Sequence, residues 1–136
     1  MTDPTPTTRT VVVERELSHP PEKIWRALTE SQLINQWLMQ NDFEPVVNHS
    51  FKLRADWGSV DCRVLAVDPP RTVSYTWAAY GLESFVTWTL TPTSTGTRLR
   101  MEHAGFRPDQ EQAYKGAGYG WQNFLGNLER VVAELN

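Results

Sequence analysis

Four residues in the second half of the chain carry the chemistry the sequence can offer, and the first is a histidine. Leu99, Met101 and His103 share one parity of an alternating run whose other parity is Arg98, Arg100 and Glu102. Successive side chains of a strand point to opposite faces, so His103 turns inward with the leucine and the methionine. An inward imidazole either orients or protonates a ligand in a pocket, or is a satisfied interior group that fixes a covering helix to the sheet. The other three are aromatic. Tyr75 and Trp77 lie in phase with Val73, and Trp88 with Val86 and Leu90, while Thr72, Ser74, Thr76, Thr87 and Thr89 take the opposite side. With Trp57, and with Tyr119, Trp121 and Phe124 from the C-terminal stretch, these rings either line a cavity for a flat hydrophobic ligand or make a dense core.

Other reactive types are poorly placed. Cys62 has only Arg63 beside it, on the opposite face, so a buried inert thiol is expected. His19, His49 and His103 stand apart from one another and from any cysteine or glutamate at ligand spacing, and no metal site is predicted. The run from Gly116 to Trp121 lacks both the dinucleotide spacing and the P-loop lysine, and no Gly-x-Ser-x-Gly elbow exists. No catalytic residue and no cofactor is therefore expected, and the chain offers no nucleophile with an obvious base.

The elements that must position these residues follow from periodicity. Val11, Val13 and Leu17 alternate with Val12, Glu14 and Glu16, giving a first strand whose inward side also carries Arg15, either as an edge residue or as the partner of Asp42 or Asp61. Pro20-Pro21-Glu22 starts a helix that buries Ile24 and Leu28. Thr29-Glu30-Ser31-Gln32 reads as a capping box before a second short helix through Leu33, Ile34 and Trp37. After Asn41-Asp42 the period falls to two. Phe51, Leu53, Ala55 and Trp57 form one strand, with a turn at Gly58-Ser59. Val60 to Val67 form the next, with a bulge suggested by Leu65 and Val67. Three more strands follow. A long C-terminal helix entered at Gly120-Trp121 places Trp121, Leu125, Leu128, Val132 and Leu135 on one side. The glycines at 116, 118 and 120 mark the loosest part of this cover, able to move as a lid.

The fold class is α+β, a curved antiparallel sheet of six or seven strands with two short helices after the first strand and one long C-terminal helix over its concave face. Residues 1–8, rich in threonine and proline, read as a disordered tail ahead of a single domain over residues 9–136. In this chain of 136 residues, 13 basic side chains face 16 acidic ones, for a net charge of −3, which disfavours nucleic acid as a partner. No apolar run approaches the ~18 residues of a membrane span, so no membrane partner is expected. With no signal-peptide core and one cysteine, a cytoplasmic protein is expected.

Taken in order, WRALTESQLINQWL, NDFEPVV, GSVDCRV, VDPPRTVSYTW, SFVTWTLTPTSTGTRLRMEHAGF and GYGWQNFLGNLERV give the chain its family character. It resembles the bacterial members of the family related to the C-terminal domain of the activator of the 90-kDa heat-shock protein ATPase. That family belongs to the START-like, birch-pollen-allergen-like helix-grip superfamily. The resemblance spans about residues 9 to 136 and rests most on Trp37 before Asp42, Asp68-Pro69-Pro70 ahead of Tyr75-Thr76-Trp77, Gly96-Thr97, His103 and Gly120-Trp121. It implies a helix-grip fold on which lipid carriers, cyclases, hydrolases and cochaperone domains all occur. In the eukaryotic cochaperone the related domain follows a separate N-terminal domain, whereas here residues 1–8 alone precede the fold.

The expectation is a non-catalytic domain holding a hydrophobic small molecule between sheet and final helix, lined by Trp57, Tyr75, Trp77, Trp88, Met101, His103, Tyr119, Trp121 and Phe124. Replacing His103 by leucine is expected to alter ligand selectivity and leave folding near wild type. The alternatives are a cyclase- or hydrolase-like enzyme with His103 as acid or base, which needs a second polar inward group beside it, and a chaperone-associated interaction domain. A strand edge also offers a homodimer contact.

Overall fold

The structure is a computed structural model that describes residues 8–135. The tail expected over residues 1–8 falls, but for Thr8, outside them. Along the chain run β1 (Arg9–Leu17), α1 (Pro21–Thr29), α2 (Ser31–Trp37), β2 (Gln40–Asn41), β3 (Ser50–Ala55), β4 (Gly58–Asp68), β5 (Thr72–Ala79), β6 (Leu82–Thr93), β7 (Gly96–Phe106) and α3 (Glu111–Glu134). The strands form one antiparallel sheet in the order β1-β7-β6-β5-β4-β3-β2. Short hairpins join β3 through β7 as neighbours, while β1 closes the far edge against β7, with Val11 opposite His103 and Val13 opposite Met101. The architecture is the expected α+β helix grip, and its seventh strand is the two-residue β2.

Alternation decides the two faces. The inward parity of β5, β6 and β7 buries Val73, Tyr75, Trp77, Ser84, Val86, Trp88, Leu90, Leu99, Met101 and His103. α3 closes over them with Trp121, Leu125, Leu128, Val131 and Val132. α1 and α2 fill one end with Ile24, Leu28, Leu33, Ile34 and Trp37, and the Trp37 indole donates to the Ala27 carbonyl at 2.8 Å. On the outer face Arg98 pairs with Glu16, and Arg100 with Glu14 and Glu102, all exposed and so of little energetic weight.

Three local expectations change and one, the β4 bulge, holds. The β3–β4 turn sits at Asp56 and Trp57, between the pair Ala55 and Gly58, two residues earlier than expected. Trp57 thereby leaves the strand and loses its inward phase. The bulge in β4 is present, between Val64 and Ala66, and it turns Ala66 outward. Thr29 makes no capping box. It still belongs to α1, so its hydroxyl donates back to the Trp25 carbonyl at 2.7 Å, and Glu30 caps α2 without a side-chain bond. Finally, α3 begins at Glu111 rather than near Trp121. Glycine is unfavourable in a helix, yet each further residue added to an existing helix gains a hydrogen bond without a new nucleus.

One glycine is fixed by contact. Gly96 opens β7, and a Cβ there would lie 2.0 Å from the Leu17 carbonyl oxygen and 2.9 Å from the His19 nitrogen. Gly96→Ala must therefore push β1 away from β7. It is expected to cost about 2 to 3 kcal/mol in denaturant unfolding, the scale of an overpacked interior site, and an unchanged midpoint would contradict the contact.

Candidate functional site

His103 is 1% exposed and is held from both sides. The Trp121 indole N–H, from α3, donates to His103 Nδ1 at 3.0 Å. Ser84 Oγ, from β6, lies 2.8 Å from His103 Nε2 and 2.8 Å from the Trp77 carbonyl oxygen on β5. An indole nitrogen only donates and a carbonyl only accepts, so the proton positions follow. Nδ1 must be bare, neutral His103 carries its proton on Nε2 and donates to Ser84, and the Ser84 hydroxyl donates to Trp77. A single directed chain of hydrogen bonds thus runs from α3 through three strands. Burial drives the imidazole pKa down to about 4, which keeps it neutral at ordinary pH.

This is the second polar group that the enzymatic alternative required, but its polarity is reversed. A serine activated by histidine gives its proton to the ring. Here the ring gives its proton to the serine. As arranged, the pair fastens α3 to the sheet, and the general-base role would require both bonds to be broken.

Around this chain the aromatic side chains pack on one another. Trp121 meets Trp77 at 5.3 Å, Trp88 at 5.7 Å and Phe124 at 5.6 Å between ring centroids, and Trp88 meets Trp37 edge-on at 5.6 Å. The Trp88 indole donates to Tyr75 Oη at 2.9 Å, and burial raises the Tyr75 pKa. Among the described residues no buried side-chain nitrogen or oxygen lacks a partner. Six of the nine expected lining residues, Tyr75, Trp77, Trp88, Met101, His103 and Trp121, therefore come together buried, with Phe124 partly buried beside Trp121. Their rings pack on one another where a hollow was expected, and none of the six borders the five clefts described at the surface. Trp57 and Tyr119 are outside the cluster, 51% and 80% exposed, the first because it sits in a turn and the second because it projects from the solvent side of α3.

One cleft opens between the hairpin tips and the start of α3. A space of about 420 Å³ is bounded by Trp57, Ala79, Tyr80, Leu82 and residues 109–113 at the start of α3. Its rim is a clasp between two hairpin tips. Tyr80 Oη donates to the Trp57 carbonyl at 2.6 Å, and the two rings lie 6.0 Å apart. Tyr80 and Gly81 form the two-residue β5–β6 turn with φ of 50° and 82°. A left-handed conformation costs a tyrosine about 1 to 2 kcal/mol. Gly58 admits the phenol, since a Cβ there would lie 2.3 Å from Tyr80 Oη. The acids lining the cleft are paired, Asp109 with Arg107 at 3.2 Å and Glu111 with Arg9 at 3.4 Å, and Arg9 also lies 4.2 Å over the Tyr114 ring. A larger cleft of about 490 Å³ lies on the outer face, between Asp61, Cys62, Arg63, Thr76, Ala78, Glu83, Ser84 and Phe85, and reaches the far side of the strand that holds Ser84, the partner of His103.

Cys62 is buried and its pKa is pushed up to about 12, by burial first and then by Asp61 and Asp42, which leaves it a protonated, inert thiol. Arg15 is an edge residue bonded to Gln122 and Glu129 of α3, not to Asp42 or Asp61. No group of three or more potential metal ligands gathers among the described residues, and none of their helices is long and apolar enough to cross a membrane. Sequence reasoning missed Ser84, Tyr80 and Leu82. Ser84 shares the parity of Val86 and Trp88 and was there to be read. The Tyr80 clasp depends on how two distant turns meet.

The model of the family described as Activator of Hsp90 ATPase homolog 1-like protein matches residues 18–133. A comparison with curated proteins gives no match. Among solved structures, the crystal structure of MLL2253 from Mesorhizobium loti is similar at 58% identity, with a TM-score of 0.91 over 94% of this chain and 99% of that one. The solution structure of BH1534 from Bacillus halodurans is similar at 24% identity and a TM-score of 0.82, over 91% and 96% of the two chains. CalU16 from Micromonospora echinospora is similar at 24% identity and a TM-score of 0.81, over 93% and 78%. The latter two likenesses speak for the fold alone.

Removing His103 leaves the buried Trp121 N–H without an acceptor, so the expectation that His103→Leu folds like wild type changes. It should lose about 1 to 3 kcal/mol in denaturant unfolding. The pH dependence has a definite sign. Between about pH 6.5 and 4 the unfolded chain takes up a proton that the folded imidazole refuses, so stability falls as pH falls, by about 3 kcal/mol in total. Comparing wild type with His103→Leu across that window isolates the effect. Parallel stability curves would show that His103 titrates normally.

Proposed function

The chain belongs to the family of Activator of Hsp90 ATPase homolog 1-like proteins, whose helix-grip fold carries many functions, and we propose that this member binds an apolar small molecule without transforming it. The binding place is the mouth between the two clasped hairpin tips and the start of α3, where Trp57, Ala79, Tyr80 and Leu82 supply the apolar surface. This moves the site expected between sheet and helix upward, from the filled interior to its entrance. Trp57 leaves the interior lining and becomes a rim residue of the entrance. Tyr75, Trp77, Trp88, Met101, His103, Trp121 and Phe124 become its rigid floor and support.

The observation that carries this reading is the Trp57–Tyr80 pair. Two large aromatic side chains stand half or more exposed, one of them in a strained backbone conformation, and a glycine is in place to let them touch. Strain of this kind persists only where surrounding structure fixes it, and it gathers at binding sites. A preorganised aromatic surface has few rotamers left to freeze when a flat ligand stacks on it. The outward-directed proton of His103 and the paired charges of the outer strand face favour binding over catalysis and over chaperone docking. A single cysteine supports a cytoplasmic setting.

The test uses N-phenyl-1-naphthylamine, an uncharged fluorescent probe. Saturable one-to-one binding with quenching of tryptophan emission is expected, and Trp57→Ala should weaken it about 2- to 10-fold while leaving the unfolding midpoint unchanged. Non-saturating uptake by wild type, or equal affinity in Trp57→Ala, overturns the site.

A further inference from the structure

α3 is one helix with two unlike halves. Residues 121–134 bury Trp121, Leu125, Leu128, Val131 and Val132 against the sheet, α1 and α2. Residues 111–120 bury none. The first half holds glycines at 116, 118 and 120, and packing does not call for them. A Cβ would meet nothing within 4 Å at 116 or 118, and at 120 it would touch only the Phe124 ring at an ordinary 3.9 Å. Alanine would fit and would favour the helix. The N-cap, Gln110, makes no side-chain capping bond. This half is held more lightly: Tyr114 and Ala117 pack partly buried against the core, Tyr114 edge-on to Phe106 at 5.6 Å, and beyond them stand the exposed Arg9–Glu111 pair, Arg9 over Tyr114, and a 3.4 Å contact from Gln110 Nε2 to the Gly81 carbonyl. The Trp121–His103 bond then fixes the helix one residue beyond the last of these glycines.

We infer that residues 111–120 are a lid that opens by local unwinding, hinged at the glycines and stopped at Trp121, and that the ligand enters beneath it. This rests on the mouth cleft being the binding site and names its access route and ligand class. Lifting the lid uncovers Leu82 and fully buried Phe106 beside the Trp57–Tyr80 clasp, joining the cleft to the floor of the aromatic cluster. The ligand that suits this enlarged site is planar and uncharged. The surfaces uncovered are rings and an aliphatic chain, and Asp109, which lies outside the lid, keeps its Arg107 partner. Only the open form is competent, so apparent affinity is the intrinsic affinity reduced by the open fraction.

The experiment combines hydrogen exchange with stopped-flow binding of N-phenyl-1-naphthylamine, on wild type and on the Gly116→Ala, Gly118→Ala double variant. Amides of residues 111–120 should exchange at least about 100-fold faster than those of 121–134 in wild type, because only the second half is anchored by burial. Each alanine closes the lid about fivefold, so two should slow exchange in the first half and probe association together by about 25-fold. Uniformly slow exchange along α3 with normal probe binding overturns the lid alone. So does slowed exchange in the variant with an unchanged association rate. Fast exchange in a wild-type protein that binds no probe sinks the binding reading and the lid with it.

Discussion

The indole of Trp121 has one proton to give, and it gives it to the bare nitrogen of His103. That fact sets the tautomer of the ring, the direction of the Ser84 hydroxyl and the height at which α3 rests on the sheet. Each member of the chain is buried, so a slip of the helix would strand a donor or an acceptor away from water, at a cost comparable to a large share of a domain's net stability. The aromatic contacts around Trp121 supply most of the attraction, but they are tolerant of small displacements. The hydrogen bonds are not. They convert a broadly adhesive surface into one registered geometry.

The same constraint divides the molecule into a closed part and an adjustable part. Below Trp121 the indoles of Trp37, Trp88 and Trp121 each give their proton to a buried acceptor, and with Trp77 their rings pack on one another. Above it, α3 continues over a cleft whose walls are hairpin tips and whose contacts to the helix are few. Ligand-binding segments of proteins are drawn from the less stable parts of a structure, since the segment that must yield to a ligand cannot also be the segment that holds the core. In this chain the boundary falls at a single residue.

Much of this was legible before any coordinates. Period-two alternation identified six of the seven strands and the inward set from Val73 to His103, and period-3.6 spacing identified the anchored half of α3. The misses share a cause. Trp57 kept an inward parity on paper, but a two-residue turn between Ala55 and Gly58 took it out of the strand. Thr29 matched a capping pattern, but with α2 starting immediately after α1 it had no free helix end to cap. The glycines before Trp121 argued for a loop, while an established helix behind them made extension the cheaper course. Whether the concave face would be hollow was beyond reach, because it depends on how far the sheet curves relative to the volume of its own side chains.

The pairing of β1 with β7 has a consequence for synthesis. Among the described strands β1 has one neighbour, β7, the strand farthest from it in sequence, with Val13 facing Met101. On the ribosome β1 therefore waits as an unpartnered edge, carrying Val11, Val12 and Val13, until translation has passed Phe106. Hairpins β3 through β7 can zip up in order as they emerge, but the sheet acquires its second border only once β7 has been made. Such late, distant closure slows folding and leaves a sticky border exposed to other nascent chains. Glu14, Arg15 and Glu16, three charges in succession on that strand, are well placed to discourage premature association.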